Sequence, residues 1–215
     1  MKLHYVVGSP NCRKVHAVLN HLGLSLELEY HDFFTGELQT PAFLALNPNG
    51  MVPVLRDGEF TLTESNTIMQ YLADGAGDTP LYPRDARLRA DVQRWQCWEL
   101  AHFNKALGVL SFETVAKPGF LNMQPDEAAV AWSSRELARF APVLDRALAV
   151  REVLVGEGIT LADYSVAHLE GFQAAVPFNW KPFANLNAYF ERMRRAPHWA
   201  ATAPVSPQAI GRRPN

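Results

Sequence analysis

Ser9, Asn11 and Cys12, within the tetrapeptide Ser9-Pro10-Asn11-Cys12, are the first residues of this chain whose types and spacing suggest chemistry. Five strand-prone residues, Leu3 to Val7, lead into the tetrapeptide through Gly8. An apolar run at helical spacing, Val15, Val18, Leu19 and Leu22, leaves it. That order sets the tetrapeptide at a helix N-terminus, where free amides and the helix dipole favour an anion. A serine hydroxyl there either donates to a bound anion or simply caps the helix.

The spacing is that of a thioredoxin-like C-x-x-C redox site with serine in place of the first cysteine. No dithiol cycle is available to such a chain, so a reactive sulfur has to come from a bound thiol. Lowering a thiol pKa from about 8.5 to about 6.5 takes roughly 2.7 kcal/mol. The helix dipole supplies up to about 2 kcal/mol, and a hydrogen bond to charged sulfur about 1.5 to 3 kcal/mol. Dipole and serine together suffice. Cys12 itself is expected to be a small thiol packed on the core.

Two further segments bear on the same site. In "NPNGMVPVL" the Val52-Pro53 peptide, just before a strand, is expected to be cis, turning the Val52 backbone toward the Ser9 turn for pairing with a peptide. In "LTESNTIMQYL" the Glu64-Ser65 pair opens a helix, where free amides and the Ser65 hydroxyl suit a carboxylate and Glu64 suits an ammonium. A small peptide with a thiol, a backbone and an α-amino acid head fits all three stations. Glutathione is such a peptide.

The elements that position these residues read as two domains. Residues 1–76 predict strand 2–7, helix 12–22, strand 26–31, helix 40–46, a hairpin 53–56 and 60–62 turning at Asp57-Gly58, and helix 64–73. Residues 77–83 fall in the turn-rich stretch "GAGDTPLYP", a candidate linker. Residues 84–215 show helical periodicity at 85–112, 126–150, 161–175 and 185–196 and no convincing strand, so this half is expected to be all-α. Within it, Thr160 to Asp163 has the pattern of a capping box, with Ile159 and Tyr164 at staple positions.

Composition excludes several classes. With 20 Lys and Arg against 22 Asp and Glu, the net charge of -2 gives no electrostatic reason to expect nucleic acid or an anionic membrane as partner. Arg192, Arg194, Arg195, Arg212 and Arg213 are expected on a solvated helix face and tail. No apolar run reaches membrane-spanning length, the N-terminal apolar stretch is too short for a secretory signal, and two cysteines match no disulfide framework or zinc spacing. The expectation is a cytoplasmic protein without a metal site.

The order and spacing of "GSPNCRKV", "PAFLALNPNGMVPVL", "LTESNTIMQYLA" and "GITLADYSVA" over the whole length resemble the cytosolic glutathione S-transferases. The resemblance implies a thioredoxin-like α/β N-terminal domain joined to an all-helical domain, glutathione as co-substrate, an electrophile as second substrate, and a homodimer. It assigns Ser9 to thiolate stabilisation, as in the serine-type theta and delta classes. Met51, Val52, Pro53, Glu64 and Ser65 fall to glutathione binding, and the box at Thr160 to Asp163 to a folding cap. Two features set the chain apart. Met51 stands where the family often has Lys or Gln for the glycyl end, and Ser9-Pro10-Asn11 is also similar to the Thr-Pro-Asn turn of bacterial Nu-class enzymes, which adds Asn11 to the catalytic candidates.

An electrophile pocket is expected between the domains, drawing on His102, Asn104, Leu107 and Phe112, with Trp98 and Leu110 nearby and Phe178 and Trp180 in a closing loop. Most of this aromatic stripe is expected to be core. Three activities remain open on these residues: thiol transfer to an apolar electrophile, glutathione-dependent disulfide reduction or peroxidase chemistry of Nu type, and non-catalytic carriage of apolar ligands.

Overall fold

The computed structural model describes residues 1–204 and 209–214. The first compact unit comprises Met1–Tyr82 together with Arg195–Asn215, and the second comprises Pro83–Arg194.

The first unit is built on β1 (Lys2–Tyr5), α1 (Pro10–Leu22), β2 (Glu27–Tyr30), α2 (Pro41–Leu46), β3 (Val54–Asp57), β4 (Phe60–Leu62) and α3 (Ser65–Gly75). The sheet order is β2-β1-β3-β4, with β1 parallel to β2 and antiparallel to β3, and β3 antiparallel to β4. The crossover through α1 is what lets β1 and β2 run parallel. Both α1 and α2 start on a local signal, a capping hydroxyl followed by proline at Ser9-Pro10 and Thr40-Pro41. Pro10 occupies the first turn of α1, where its missing N–H costs nothing, and Ser9 caps it. Gly23 closes α1 at φ 66°, and the Leu24 amide returns to the Leu19 carbonyl at 3.0 Å, a Schellman stop. Val15, Val18 and Leu19 of α1 and Ile68, Met69 and Leu72 of α3 are buried. Burial contributes about 1.5 to 3 kcal/mol for each large apolar side chain.

The second unit holds α4 (Ala86–Trp98), α5 (Asn104–Ser111), α6 (Glu127–Ala147), α7 (Leu161–Ala167) and most of α8 (Ala184–Arg195). Three features depart from the sequence expectation. The long periodic segment at 85–112 is interrupted by a π-helical stretch, Glu99–Phe103, and followed by another, Phe112–Leu121. The second contains Pro118, which has no N–H to give to the ladder, and stops at Asn122 in a left-handed conformation with φ 51°. The helix expected over 161–175 stops at Ala167 because the buried His168 imidazole takes the Ser165 carbonyl, while the Leu169 amide turns to Val166 at 3.1 Å. A short α9 (Pro197–Ala200) belongs to the first unit and packs on α1; four residues are too few to carry a period.

The capping box is present. The Asp163 carboxylate accepts from the Thr160 amide at 2.8 Å, the Leu154 amide at 2.9 Å and the Thr160 hydroxyl at 3.0 Å, and Tyr189 donates to it from α8 at 3.3 Å. Asp163 is fully buried, and burial pushes its carboxyl up to about 6, the hydrogen bonds offsetting only part of that shift.

The arginine reading holds for Arg195, Arg212 and Arg213, which are exposed, and needs correction at Arg194. Arg194 is half-buried and bonds Glu170 at 2.6 Å and Gln173 at 2.7 Å, as well as Glu191. Arg213 reaches Glu37 at 3.0 Å, Glu37 in turn meets His31 at 3.1 Å, and His31 meets His4 at 2.9 Å. The residues around Arg213 are tied to the segments that follow β1 and β2 by the Gly211 amide on the Val7 carbonyl and the Phe33 amide on the Gly211 carbonyl, both 2.8 Å. A charge count along the chain carries no information about these partners, which lie far away in sequence.

Candidate active site

Ser9 sits where β1 gives way to α1, following Gly8, whose φ of 78° forms the turn. Its Oγ accepts from the Cys12 amide at 3.4 Å, and the residue is 6% exposed. A hydroxyl has one proton and two lone pairs. One lone pair serves the cap, which leaves the proton and the second lone pair. A thiol is a weak acceptor and a thiolate a strong, charged one.

Cys12 is wholly buried, and burial pushes its thiol up to about 12, the hydrogen bonds with Ser9 and the Val6 backbone offsetting only part. It is no nucleophile at neutral pH. Cys97, by contrast, is exposed. Brief iodoacetamide treatment of the folded protein is expected to alkylate Cys97 and spare Cys12, which peptide mass mapping reads directly; early labelling of Cys12 would contradict its burial.

Asn11 is the second residue of α1, and Ser65 at the start of α3 donates to its Oδ1 at 3.1 Å. The two helices are joined a second time by Lys14, one turn further along α1, whose Nζ donates to Asn66 Oδ1 at 2.8 Å with both residues buried. Sequence reasoning missed Lys14 and Asn66. Lys14 shares a helix face with Ala17 and Val18, and a lysine within an apolar stripe was the available signal.

Glu64, the residue before α3, holds φ 66° and ψ 106°, a conformation non-glycine residues rarely adopt. Strain of this kind, of order 1 to 3 kcal/mol, persists at functional sites when its surroundings impose it. The Val52-Pro53 peptide is cis. The loop before it is held by Asn47, whose Nδ2 donates to the Met51 carbonyl at 2.7 Å and whose Oδ1 accepts from the Asn49 amide at 3.1 Å. Gly50 has φ 62°, and a Cβ there would collide with Gln39 Nε2.

Six of the sequence-nominated residues line one cavity: Asn11, Met51, Val52, Pro53, Glu64 and Ser65, together with Asn47 and Asn49. Ser9 is not among the lining residues, although Asn11 of the same turn is. The cavity volume is about 70 Å³, room for roughly two water-sized groups. A larger cavity of about 320 Å³ in the same unit, lined by Met1, Lys2, His4, Glu27, Leu46, Arg56 and Gly58, contains none of the nominated residues.

In the second unit His102 is exposed and stacks on Phe140 with ring centroids 4.8 Å apart. Asn104 is half-buried, Leu107 and Leu110 are fully buried, and Phe112 is 48% exposed. Trp98 stacks on Phe103, and Phe178 meets Trp180 edge-on at 4.7 Å. Of the aromatic stripe only Trp180 is core; Trp98 and Phe178 are half-buried and His102 and Phe112 exposed, so the expectation of a mostly buried stripe holds for Leu107 and Leu110 and not for the rings.

An α/β unit with a helix-terminal hydroxyl and a proline-led strand, followed by an all-helical unit, defines the architecture of a glutathione transferase. Comparison with known families agrees: the model described as glutathione S-transferase, N-terminal domain, matches residues 3–80, and glutathione S-transferase, C-terminal domain, matches residues 104–197. Glutathione S-transferase 3 of Zea mays is 36% identical over 179 residues, covering 82% of this chain and 80% of that protein. A glutathione S-transferase of Hyoscyamus muticus is 32% identical over 206 residues, covering 93% and 96%. Among solved structures, the theta class enzyme of Xanthomonas axonopodis pv. citri with glutathione bound superposes with a TM-score of 0.84 at 27% identity, covering 95% of this chain and 97% of that one. The chain belongs to the glutathione S-transferase family.

Proposed function

We propose that this enzyme binds glutathione against the N-termini of α1 and α3, holds it as thiolate through Ser9 with Asn11 alongside, and presents it to an electrophilic, largely apolar substrate. The observation that carries the reading is the convergence of Asn11, Met51, Val52, Pro53, Glu64 and Ser65 on a single cavity, from three segments far apart in sequence. The cysteinyl unit pairs with the Val52 backbone. The γ-glutamyl carboxylate meets the first amides of α3 and the Ser65 hydroxyl, with Glu64 opposite the ammonium. Pro53 fixes the backbone beside the pairing strand. We assign the electrophile to His102, Asn104 and Phe112, which carry exposed surface, with Leu107 supporting them from the core.

A neutral pair of atoms at 3.1 Å, Ser65 Oγ and Asn11 Oδ1, is exchanged on binding for a charge-assisted bond to the carboxylate. Ser65→Ala is expected to raise KM for glutathione roughly tenfold with kcat little changed. Steady-state kinetics with an aryl halide over a glutathione series makes the test, and an unchanged KM would remove Ser65 from the carboxylate. The protein is further read as a cytoplasmic homodimer, which sedimentation would test. Among the described residues no helix is long and apolar enough to cross a membrane.

A further inference from the structure

Glu64 and Ser65, which the glutathione reading gives to the γ-glutamyl unit, stand at the start of α3, whereas Ser9 and Asn11, given to the sulfur, stand at the start of α1. One ligand therefore spans two helices, and that span has to be held. Ser65 and Asn66, the first two residues of α3, both reach α1: Ser65 Oγ donates to Asn11 Oδ1 at 3.1 Å, and Asn66 Oδ1 accepts from Lys14 Nζ at 2.8 Å. Asn11 and Lys14 are one turn apart on the same face of α1. Consecutive residues of one helix are thus pinned to adjacent positions on the other, which fixes both slide and rotation at the start of α3.

The two ties differ in their relation to the ligand. Asn11 and Ser65 line the cavity, and on the glutathione reading Ser65 leaves Asn11 for the γ-glutamyl carboxylate. Lys14 is wholly buried, Asn66 is 7% exposed, and neither is among the lining residues, so their bond is not exchanged when the site fills. We propose that Lys14 is a positioning residue: through Asn66 it holds the start of α3 at the spacing from α1 that one γ-glutamylcysteinyl unit requires, and it touches neither substrate. The inference rests on the glutathione reading and deepens it. The backbone agrees, since Glu64, two residues before Asn66, keeps φ 66°, a strained conformation that persists when its surroundings impose it.

The experiment compares kcat/KM for glutathione and for cysteinylglycine, the same thiol without its γ-glutamyl unit, with one aryl halide as electrophile. It is run on the wild type, Lys14→Met, Asn66→Ala and the double variant, well below the Tm of each. The wild type is expected to prefer glutathione, and each single variant to lose roughly tenfold of that preference, chiefly as a higher KM for glutathione. The double variant is expected to lose no more than the worse single one, because both substitutions remove the same bond. Asn66→Ala leaves Lys14 in place and decides the matter alone should Lys14→Met fail to fold. Equal losses for the two thiols, a preference within about twofold of wild type, or losses that multiply in the double variant overturn the inference and leave the glutathione reading intact, Lys14 being then a packing residue. A wild type without preference for glutathione contradicts the glutathione reading itself and takes this inference with it.

Discussion

Replacing Ser9 by alanine is expected to lower kcat with glutathione roughly ten- to a hundredfold at neutral pH, with a smaller effect on KM. The size follows from one charge-assisted hydrogen bond to sulfur, about 1.5 to 3 kcal/mol. Its location in kcat follows from the chemistry, because the bond strengthens as the thiol ionises and does little for the neutral form. Ser9 also caps α1, accepting from the Cys12 amide, and loss of the cap costs about 1 kcal/mol of stability. The two roles separate on measurement. A small fall in Tm with a large fall in kcat identifies the hydroxyl as a thiolate donor, whereas a fall in Tm with unchanged kcat identifies a cap and nothing more. Ser9→Thr keeps the hydroxyl and is expected to retain most of the activity. On the proposed reading Asn11, which lines the cavity itself, shares the sulfur with Ser9, so the loss in Ser9→Ala is expected to stay short of abolition.

The second large effect is on folding. Asp163→Ala is expected to destabilise the protein by roughly 2 to 5 kcal/mol, because it strands the buried Thr160 and Leu154 amides, each costing about 1 to 3 kcal/mol when left unpaired. Calorimetry reads this as a fall in Tm on the order of 10 °C. The pH dependence has a definite sign. Burial holds the folded carboxyl at about 6, above its ordinary value of 3.8, so the folded state binds this proton more tightly than the unfolded chain does. The contribution of protonation is then fully present below about pH 4 and is lost as the pH rises through about 6. The destabilisation caused by Asp163→Ala is accordingly larger at pH 4 to 5 than at pH 7. An alanine variant within about 0.5 kcal/mol of wild type at both pH values would contradict the role assigned to the buried box.

How much of this was legible in the sequence varies with the range of the interactions concerned. Ser9, Pro10 and Gly23 bound α1 by rules that act within one turn, and Thr160 with Asp163 does the same for α7; such signals survive without knowledge of the fold. The convergence of Asn11, Val52, Glu64 and Ser65 was legible through the order of the motifs. Lys14 with Asn66 was not, since the pairing of one polar side chain with another 52 residues away leaves no periodic trace. The same holds for Arg213 with Glu37. The interruptions at Glu99–Phe103 and at His168 were hidden for a related reason: in each, tertiary packing or a side chain alters a backbone ladder that the apolar period alone would continue.

The borrowed-thiol account is tested most directly by ultraviolet difference titration of the glutathione complex, following thiolate absorbance against pH in the wild type and in Ser9→Ala. The account predicts an apparent pKa about two units below that of free glutathione in the wild type, rising by one unit or more in the variant. A wild-type complex that titrates like free glutathione, or a lowered value that Ser9→Ala leaves in place, would contradict it.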